Sequence, residues 1–310
     1  MHRRLLVIFG PTASGKSALA LSLAREFGGT VINADSMQIY RELPILSAAP
    51  TPAEQAAAPH RLYGIFSAAD PCSAGIWRER AIAEIEAAWA EGRVPIVVGG
   101  TGLYIEALLT GLSPIPDVPP EVRSAARTLA AEIGAPALHT RLAERDPVMA
   151  ARLRPSDPQR VTRAWEVLEA TGRSLADWQA APPEGAIVVP ALPIVLEPDR
   201  AELYDTIDRR FLTMLDAGAL EEVRAVAALD HGLPALKALG IPDLLRHLAG
   251  ELPLAAAVTA AQAATRQYAK RQVTWARHRL PSSSLRLGMK FSESFQGNIF
   301  PIIRRFLLTG

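Results

Sequence analysis

The sequence predicts an α/β protein in which a parallel sheet is covered by helices on both faces and interrupted by a mainly helical insertion. Three observations predict it. Short β-rich runs alternate with longer helical patterns over the first hundred residues, a glycine-rich loop joins the first strand to the first helix, and a proline-bounded helical block leads back to an apolar, strand-like run. Strands separated by helices of this length form parallel sheets buried on both sides. A chain of 310 residues is long enough for one large domain or two ordinary ones.

Leu5–Phe9 is continuously apolar and reads as a buried strand, and Lys16–Phe27 carries leucines and alanines at helical spacing. Val31-Ile32 is a second short strand ending at Asn33-Ala34-Asp35. Residues 76–90 place Ile82, Ile85, Ala88 and Trp89 on one helical face, and residues 94–98 form a further buried strand before Gly99-Gly100. Pro114, Pro116, Pro119 and Pro120 then break regular structure.

From 121 to about 178 the pattern is helical, with segments at 121–132, 137–144 and 158–169. Beyond Pro182-Pro183, residues 187–196 contain Pro190 and Pro193 and read as one or two short strands that rejoin the sheet. The remainder is mainly helical: Arg200–Asp216, 220–229, 236–248 and Leu254–Arg279. The expected organisation is a phosphate-loop core from 1–115 and 185–280, an inserted helical domain at 116–184, and a tail at 281–310 with no assigned role.

Composition excludes several classes. Hydrophobic residues make up 49% and charged residues 21%, which argues against wholesale disorder. The single cysteine, Cys72, rules out an intrachain disulfide and a multi-cysteine metal cage. With 33 Lys+Arg against 32 Asp+Glu there is no global basic excess, so nucleic-acid binding would have to use a local basic surface. His60, His139, His231, His247 and His278 show no metal-ligand spacing. No apolar run reaches the roughly 18 residues of a membrane span, and the basic start Met1-His2-Arg3-Arg4 lacks a signal peptide's cleavage site. A cytoplasmic protein is expected.

Gly10-Pro11-Thr12-Ala13-Ser14-Gly15-Lys16-Ser17 matches GxxxxGK followed by Ser or Thr, between a strand and a helix. Its backbone can curl around phosphate oxygens, with Lys16 carrying charge to the terminal phosphates and Ser17 able to ligate magnesium. The strand at 94–98 runs into Gly99-Gly100-Thr101 and lacks the magnesium-holding aspartate usual in ATP hydrolases. Asp35 closes the second strand, where parallel-sheet enzymes gather their sites. There it accepts a proton from an attacking hydroxyl or amine or holds magnesium through water, unless it caps the next helix. Thr101 is read either as orienting the acceptor or as an N-cap.

Arg160 and Arg163 share a helical face behind the cap candidate Asp157, and Arg209-Arg210 poses the same choice between an anion clamp and a solvated face. The segment 266–279 combines Arg266, Lys270 and Arg277 with Tyr268 and Trp275, a pattern suited to RNA phosphates and unpaired bases, or to a helix with an aromatic core face and a wet basic one.

GPTASGKSALALSLA at 10–24, NADSMQIYR at 33–41, APHRLYG at 58–64, VGGTGLYIEALLTGLSPIP at 98–116, DPQRVTRAWEV at 157–167 and RQYAKRQVTWAR at 266–277 together resemble the tRNA dimethylallyltransferase family. The resemblance implies a nucleotide-kinase-like core with an inserted helical domain. The reaction it implies is transfer of a dimethylallyl group, usually with magnesium, from dimethylallyl diphosphate to the exocyclic N6 amine of the adenosine immediately 3′ of the anticodon.

In that scheme Gly10, Thr12, Ala13, Ser14, Gly15, Lys16 and Ser17 hold the diphosphate, Ser17 also contacting magnesium. Arg163 and Arg210 neutralise the leaving group, with Arg160 beside them. Asp35 deprotonates the amine, assisted by Thr101. Ser36 and Gln38, with Arg266, Gln267, Lys270, Arg271, Trp275 and Arg277, hold the flipped adenosine and the anticodon stem-loop, and the chain is expected to act as a monomer. Two stretches depart from the family pattern: Arg41-Glu42-Leu43-Pro44 replaces a Gly-containing turn, and Ala49 stands where the family usually has lysine. A small-molecule kinase using the same loop explains the first hundred residues but not 266–277, and an RNA-binding scaffold would not need Asp35.

Overall fold

The computed structural model describes residues 3–288 and 296–308. Leu5–Phe9 (β1) is buried along its whole length, as expected of a strand covered on both faces. It leads through the phosphate loop into Lys16–Phe27 (α1), which Gly28 ends in a left-handed turn. Gly29–Asn33 (β2) follows, starting two residues earlier than predicted. Pro52–Ala57 (α2) opens with a capping box between Thr51 and Glu54, and His60–Arg61 (β3) is a two-residue strand. Neither element was predicted. Ala74–Ala90 (α3), Val94–Gly99 (β4) and Gly102–Leu109 (α4) complete the first half.

Thr110–Ala186 forms a second compact unit. Its long helix Pro120–Arg145 (α5) spans the two predicted segments and is kinked at Gly134, whose φ is +79°. Pro147–Ala150 (α6), Pro158–Thr171 (α7) and Leu175–Ala180 (α8) pack with it around Leu138, Leu142, Val161 and Val167. The boundaries lie at 109/110 and 186/187, outside the 115/116 and 184/185 read from the proline clusters. Leu112 and Glu184 exchange backbone hydrogen bonds of 3.0 and 2.8 Å within the smaller unit and so draw both neck strands into it.

The larger unit comprises the described residues up to Leu109 and from Ile187 onward. Ala191–Leu196 (β5) is a single strand that rejoins the sheet. Arg200–Asp216 (α9), Ala219–Val226 (α10), Ile241–Leu248 (α11) and Leu254–Arg279 (α12) follow. Within the tail left without a role, Leu285–Leu287 (β6) pairs with β5 and Gln296–Leu308 (α13) packs on the sheet. The tail therefore belongs to the core. Its three-residue strand is too brief to carry a periodic signal.

All strand pairings are parallel, in the order β3-β2-β4-β1-β5-β6. Side chains alternate between faces: Leu5, Val7 and Phe9 meet the layer that includes α3, α4, α11 and α12, whereas Leu6 and Ile8 meet α1 and α13. The carboxyl ends of β1, β2 and β4 lie side by side, with Phe9 opposite Gly99 and Asn33 opposite Val98.

The close approach of β2 and β4 depends on Gly99, where a Cβ would lie 2.1 Å from the Ala34 carbonyl carbon and oxygen. Neither backbone can yield without breaking the Ala34 N–H bond to the Val98 carbonyl, 2.7 Å. Gly99→Ala is therefore expected to cost about 3 kcal/mol and to lower the melting temperature by about 6–12 °C, as read by calorimetry.

Candidate active site

The phosphate loop leaves β1 and is folded by left-handed turns at Ala13 (φ +65°) and Gly15 (φ +85°). Gly15 caps α1 without any side-chain bond, so the first-turn N–H groups are free of a competing side-chain acceptor and suit an anion. Ser14 is fully buried, with its Oγ unpartnered against Gly10. Lys16 Nζ donates to the Pro11 carbonyl at 3.4 Å.

Asp35 follows β2 and is held by Asn33. The buried Asn33 side chain accepts from the Asp35 N–H at 2.8 Å and donates to the carbonyls of Asp35 (3.0 Å) and Leu62 (3.1 Å). Asp35 Oδ1 accepts the Met37 N–H at 2.9 Å, a local turn rather than a helix cap. On the adjoining turn Thr101 Oγ1 accepts the Ser36 N–H at 2.9 Å and donates to Ser36 Oγ at 3.2 Å. Its side chain is thus spent on the Asp35–Ser36 segment, not on capping α4.

Arg210 comes from α9. It shares a helical face with Leu203 and Ile207, whereas Arg209 points outward and pairs with Asp205 at 2.9 Å. Arg210, Lys16 and Asp35 form one electrostatic group. Burial pulls the Lys16 ammonium down to about 8, against the pull of Asp35 and together with that of Arg210. Burial also lowers the guanidinium of Arg210, opposed by Asp35. Two cations thus converge on a phosphate loop, facing one carboxylate. Beside them Thr12, Ala13, Leu46, Ile207, Phe211 and Met214 are among the residues lining a largely apolar cavity that Arg210 also borders.

A family model described as IPP transferase matches residues 38–279. The tRNA dimethylallyltransferase of Rhodospirillum centenum is 58% identical over 287 residues, covering 91% of this chain and 90% of that one. That of Paramagnetospirillum magneticum is 53% identical over 306 residues, covering 98% and 97%. The chain belongs to the IPP transferase family. Among solved structures, the tRNA isopentenylpyrophosphate transferase of Bacillus halodurans superposes with a TM-score of 0.70 at 30% identity, covering 98% of this chain and 97% of that one. A eukaryotic dimethylallyltransferase acting on tRNA shares the fold, with a TM-score of 0.80 at 24% identity and coverage of 97% and 77%.

For a member of the IPP transferase family, the expected RNA contacts on α12 divide into two faces. Gln267, Lys270 and Arg271 are exposed. Trp275 instead packs inward, its ring 4.8 Å from that of Phe9 and against Gly102, where a Cβ would lie 2.4 Å from the indole. Arg266 is committed to Asp208 of α9 at 2.5 and 2.7 Å. Trp275 thus takes the core-facing alternative read for 266–279, and Arg266 is engaged within the protein. A helix on a sheet must bury one face, and the aromatic residue at heptad spacing from Tyr268 falls on it. Arg277 is exposed and 3.8 Å from Glu197. Gln38 is buried, its Nε2 donating to the carbonyls of Ser47 (3.0 Å) and Ala48 (2.8 Å), so that donor holds a loop.

Arg160 and Arg163 lie on α7 of the smaller unit, where Asp157 caps the helix through the Arg160 N–H as expected. Arg160 is 3.6 Å from the Asp157 carboxylate, and Arg163 is 3.2 Å from the buried Glu166. Ser17 is exposed in the first turn of α1.

Sequence reasoning missed Asn33 as the clamp on Asp35. It also gave Tyr268 only a packing or stacking surface. The Tyr268 hydroxyl lies 3.5 Å from the Gly100 carbonyl and beside Thr101, and burial pushes it up with the Asp35 charge adding to the effect. The seven-residue spacing from Tyr268 to Trp275 was the available signal.

The Lys16 ammonium dictates a pH response. Its charged form suits the diphosphate donor that the family resemblance implies, and it is lost as pH rises through about 8. The donor KM is therefore expected to rise toward tenfold per pH unit above that point, with no rise from this group below it. Lys16→Arg removes the inflection, because a guanidinium stays charged. Steady-state profiles between about pH 7 and 9.5 check both.

Proposed function

We propose that this chain transfers the dimethylallyl group of dimethylallyl diphosphate to the N6 amine of the adenosine immediately 3′ of the anticodon in tRNA, releasing diphosphate. The observation that carries this reading is the apolar cavity bordered by Thr12, Ala13 and Arg210, which gives a short isoprenyl tail an apolar seat while its diphosphate reaches the loop. Family membership disfavours an ATP-dependent kinase.

The diphosphate lies on the loop 10–17, where Lys16 and Arg210 neutralise the charge that builds as the carbon–oxygen bond breaks. Asp35 accepts the proton from the N6 amine as nitrogen bonds to the dimethylallyl carbon, and Thr101 and Ser36 hold the acceptor side. Gln267, Lys270, Arg271 and Arg277 take phosphates of the anticodon stem-loop, and an extruded loop base costs less to present than a paired one.

Magnesium suits a hydroxyl oxygen beside bound phosphates, because it is commonly held by one or two protein oxygens with substrate phosphates and water, and Ser17 is exposed in the first turn of α1. Ser17 Oγ would hold it, with diphosphate oxygens and water. When bound it offsets diphosphate charge and orients the leaving oxygen. No helix among the described residues is long and apolar enough to cross a membrane. The reaction takes place in the cytoplasm, where its tRNA acceptor is found, and one chain suffices for it.

The test incubates the protein and magnesium with an unmodified anticodon stem-loop and either dimethylallyl diphosphate or ATP. An RNA mass gain of one dimethylallyl group with the prenyl donor alone is expected. No gain, with ADP formed from ATP and a hydroxyl acceptor, would overturn the reading.

A further inference from the structure

The side chain of Gln272 is 4% exposed, and its amide is used at both ends. Its Oε1 accepts the Thr12 N–H of the phosphate loop at 2.9 Å, and its Nε2 donates to the Gly100 carbonyl at 2.9 Å. Gly100 precedes Thr101, whose hydroxyl fixes Ser36. A Cβ on Gly100 would lie 2.1 Å from Gln272 Nε2, so the turn has been kept bare to admit this amide. One side chain therefore ties the loop that takes the donor to the turn that faces the acceptor.

The helix carrying Gln272 is itself anchored at the site. Arg266 pairs with Asp208, and Gln262 Nε2 donates to the Asp208 carbonyl at 3.0 Å, two residues before Arg210. Ala269 and Ala276, both buried, allow α12 to approach closely, and Ala269 packs with Leu203 and Ile207 of α9 beside Ala13. Three pieces of the site thus hang on one helix: the phosphate loop, the Gly100–Thr101 turn and the Arg210 segment.

We propose that Gln272 is a positioning residue that holds the donor loop and the acceptor turn in register, and so sets the distance and angle at which the amine meets the dimethylallyl carbon. In the transfer a nitrogen–carbon bond forms as the carbon–oxygen bond to diphosphate breaks, the proton passes to Asp35, and the electron pair leaves with the diphosphate. Misplacement by about 1 Å costs on the order of a hundredfold in such a step while leaving each substrate's own contacts intact. The inference rests on the prenyl-transfer reading.

Gln272→Met keeps the length and removes both bonds. It is expected to lower kcat at least tenfold, with the KM for dimethylallyl diphosphate and for the anticodon stem-loop each within threefold of the unaltered protein. Gln272→Glu keeps an acceptor for the Thr12 N–H, but as a carboxylate it has nothing to donate to Gly100, and protonation restores that donor. Its kcat divided by that of the unaltered protein at the same pH should therefore climb as pH falls from about 8 to 6, a signature that general loosening of the helix would not produce.

A kcat for Gln272→Met within twofold of the unaltered protein overturns the inference. So does a rise in both KM values as large as the fall in kcat, or a pH-independent ratio for Gln272→Glu. Should Gln272→Met fail to fold in a thermal melt, the Gln272→Glu ratio decides alone. An unaltered chain that transfers no dimethylallyl group overturns the functional reading and this inference with it. An active chain with indifferent variants overturns only the inference.

Discussion

Replacing Asp35 with asparagine is expected to lower kcat about a thousandfold, within the range that a positioned general base supplies, while the protein stays folded. Asparagine retains an oxygen to accept the Met37 N–H, which Asp35 Oδ1 accepts at 2.9 Å, and leaves the Asn33 clamp on the backbone untouched. What it removes is the proton acceptor and one negative charge. That charge supports the protonated form of Lys16. The variant therefore carries a second, independent mark: the pH at which the donor KM begins to rise should move below about 8. Single-turnover measurement of RNA mass gain reads the first effect, and the donor KM profile reads the second. A thousandfold loss without the displaced inflection would mean that Asp35 acts away from Lys16.

Arg210→Ala is expected to reduce kcat/KM for the donor by about 10²–10³, the loss typical of removing one preorganised donor to developing charge, with the KM for the anticodon stem-loop little changed. Arg210 is half-buried near Asp35 and Lys16, so its charge acts where water screens less than at the surface. Arg210→Lys should recover part of the activity, because an ammonium restores charge but not the planar fork that grips two oxygens. Since Arg210 depresses Lys16, its removal to alanine should move the donor KM inflection above about 8, opposite in direction to Asp35→Asn. Arg209→Ala is the control. That side chain pairs with Asp205 on the exposed face of α9, and its loss should leave kcat/KM for the donor unchanged.

The site positions legible in the sequence share one property: their placement follows from neighbours close in the chain. The loop at 10–17 was readable because strand, glycines, lysine and helix lie within one short stretch. Asp35 was readable because it ends a strand of a parallel sheet, where the carboxyl ends gather the site. The separation of Arg210 from Arg209 was also within reach of local reasoning, since Leu203 and Ile207 mark the inward face of their helix. The bounds of the insertion, six residues earlier at its first neck and two later at its second, were not, because Leu112 and Glu184 find each other across 72 residues (184 − 112).

Local sequence determined the alternation of strands and helices, the loop at 10–17 between β1 and α1, and the place of Asp35 at the end of β2, since each depends on residues within one segment. Tertiary structure alone decided that Gln272 bridges Thr12 and Gly100, that Trp275 lies on Phe9 rather than facing solvent, and that β6 and α13 complete the core. The physical reason is the same in each case. A hydrogen bond or a buried contact between residues more than a hundred positions apart, or an edge strand only three residues long, leaves no period in the chain, and it forms only once the sheet has brought distant segments within a few ångströms.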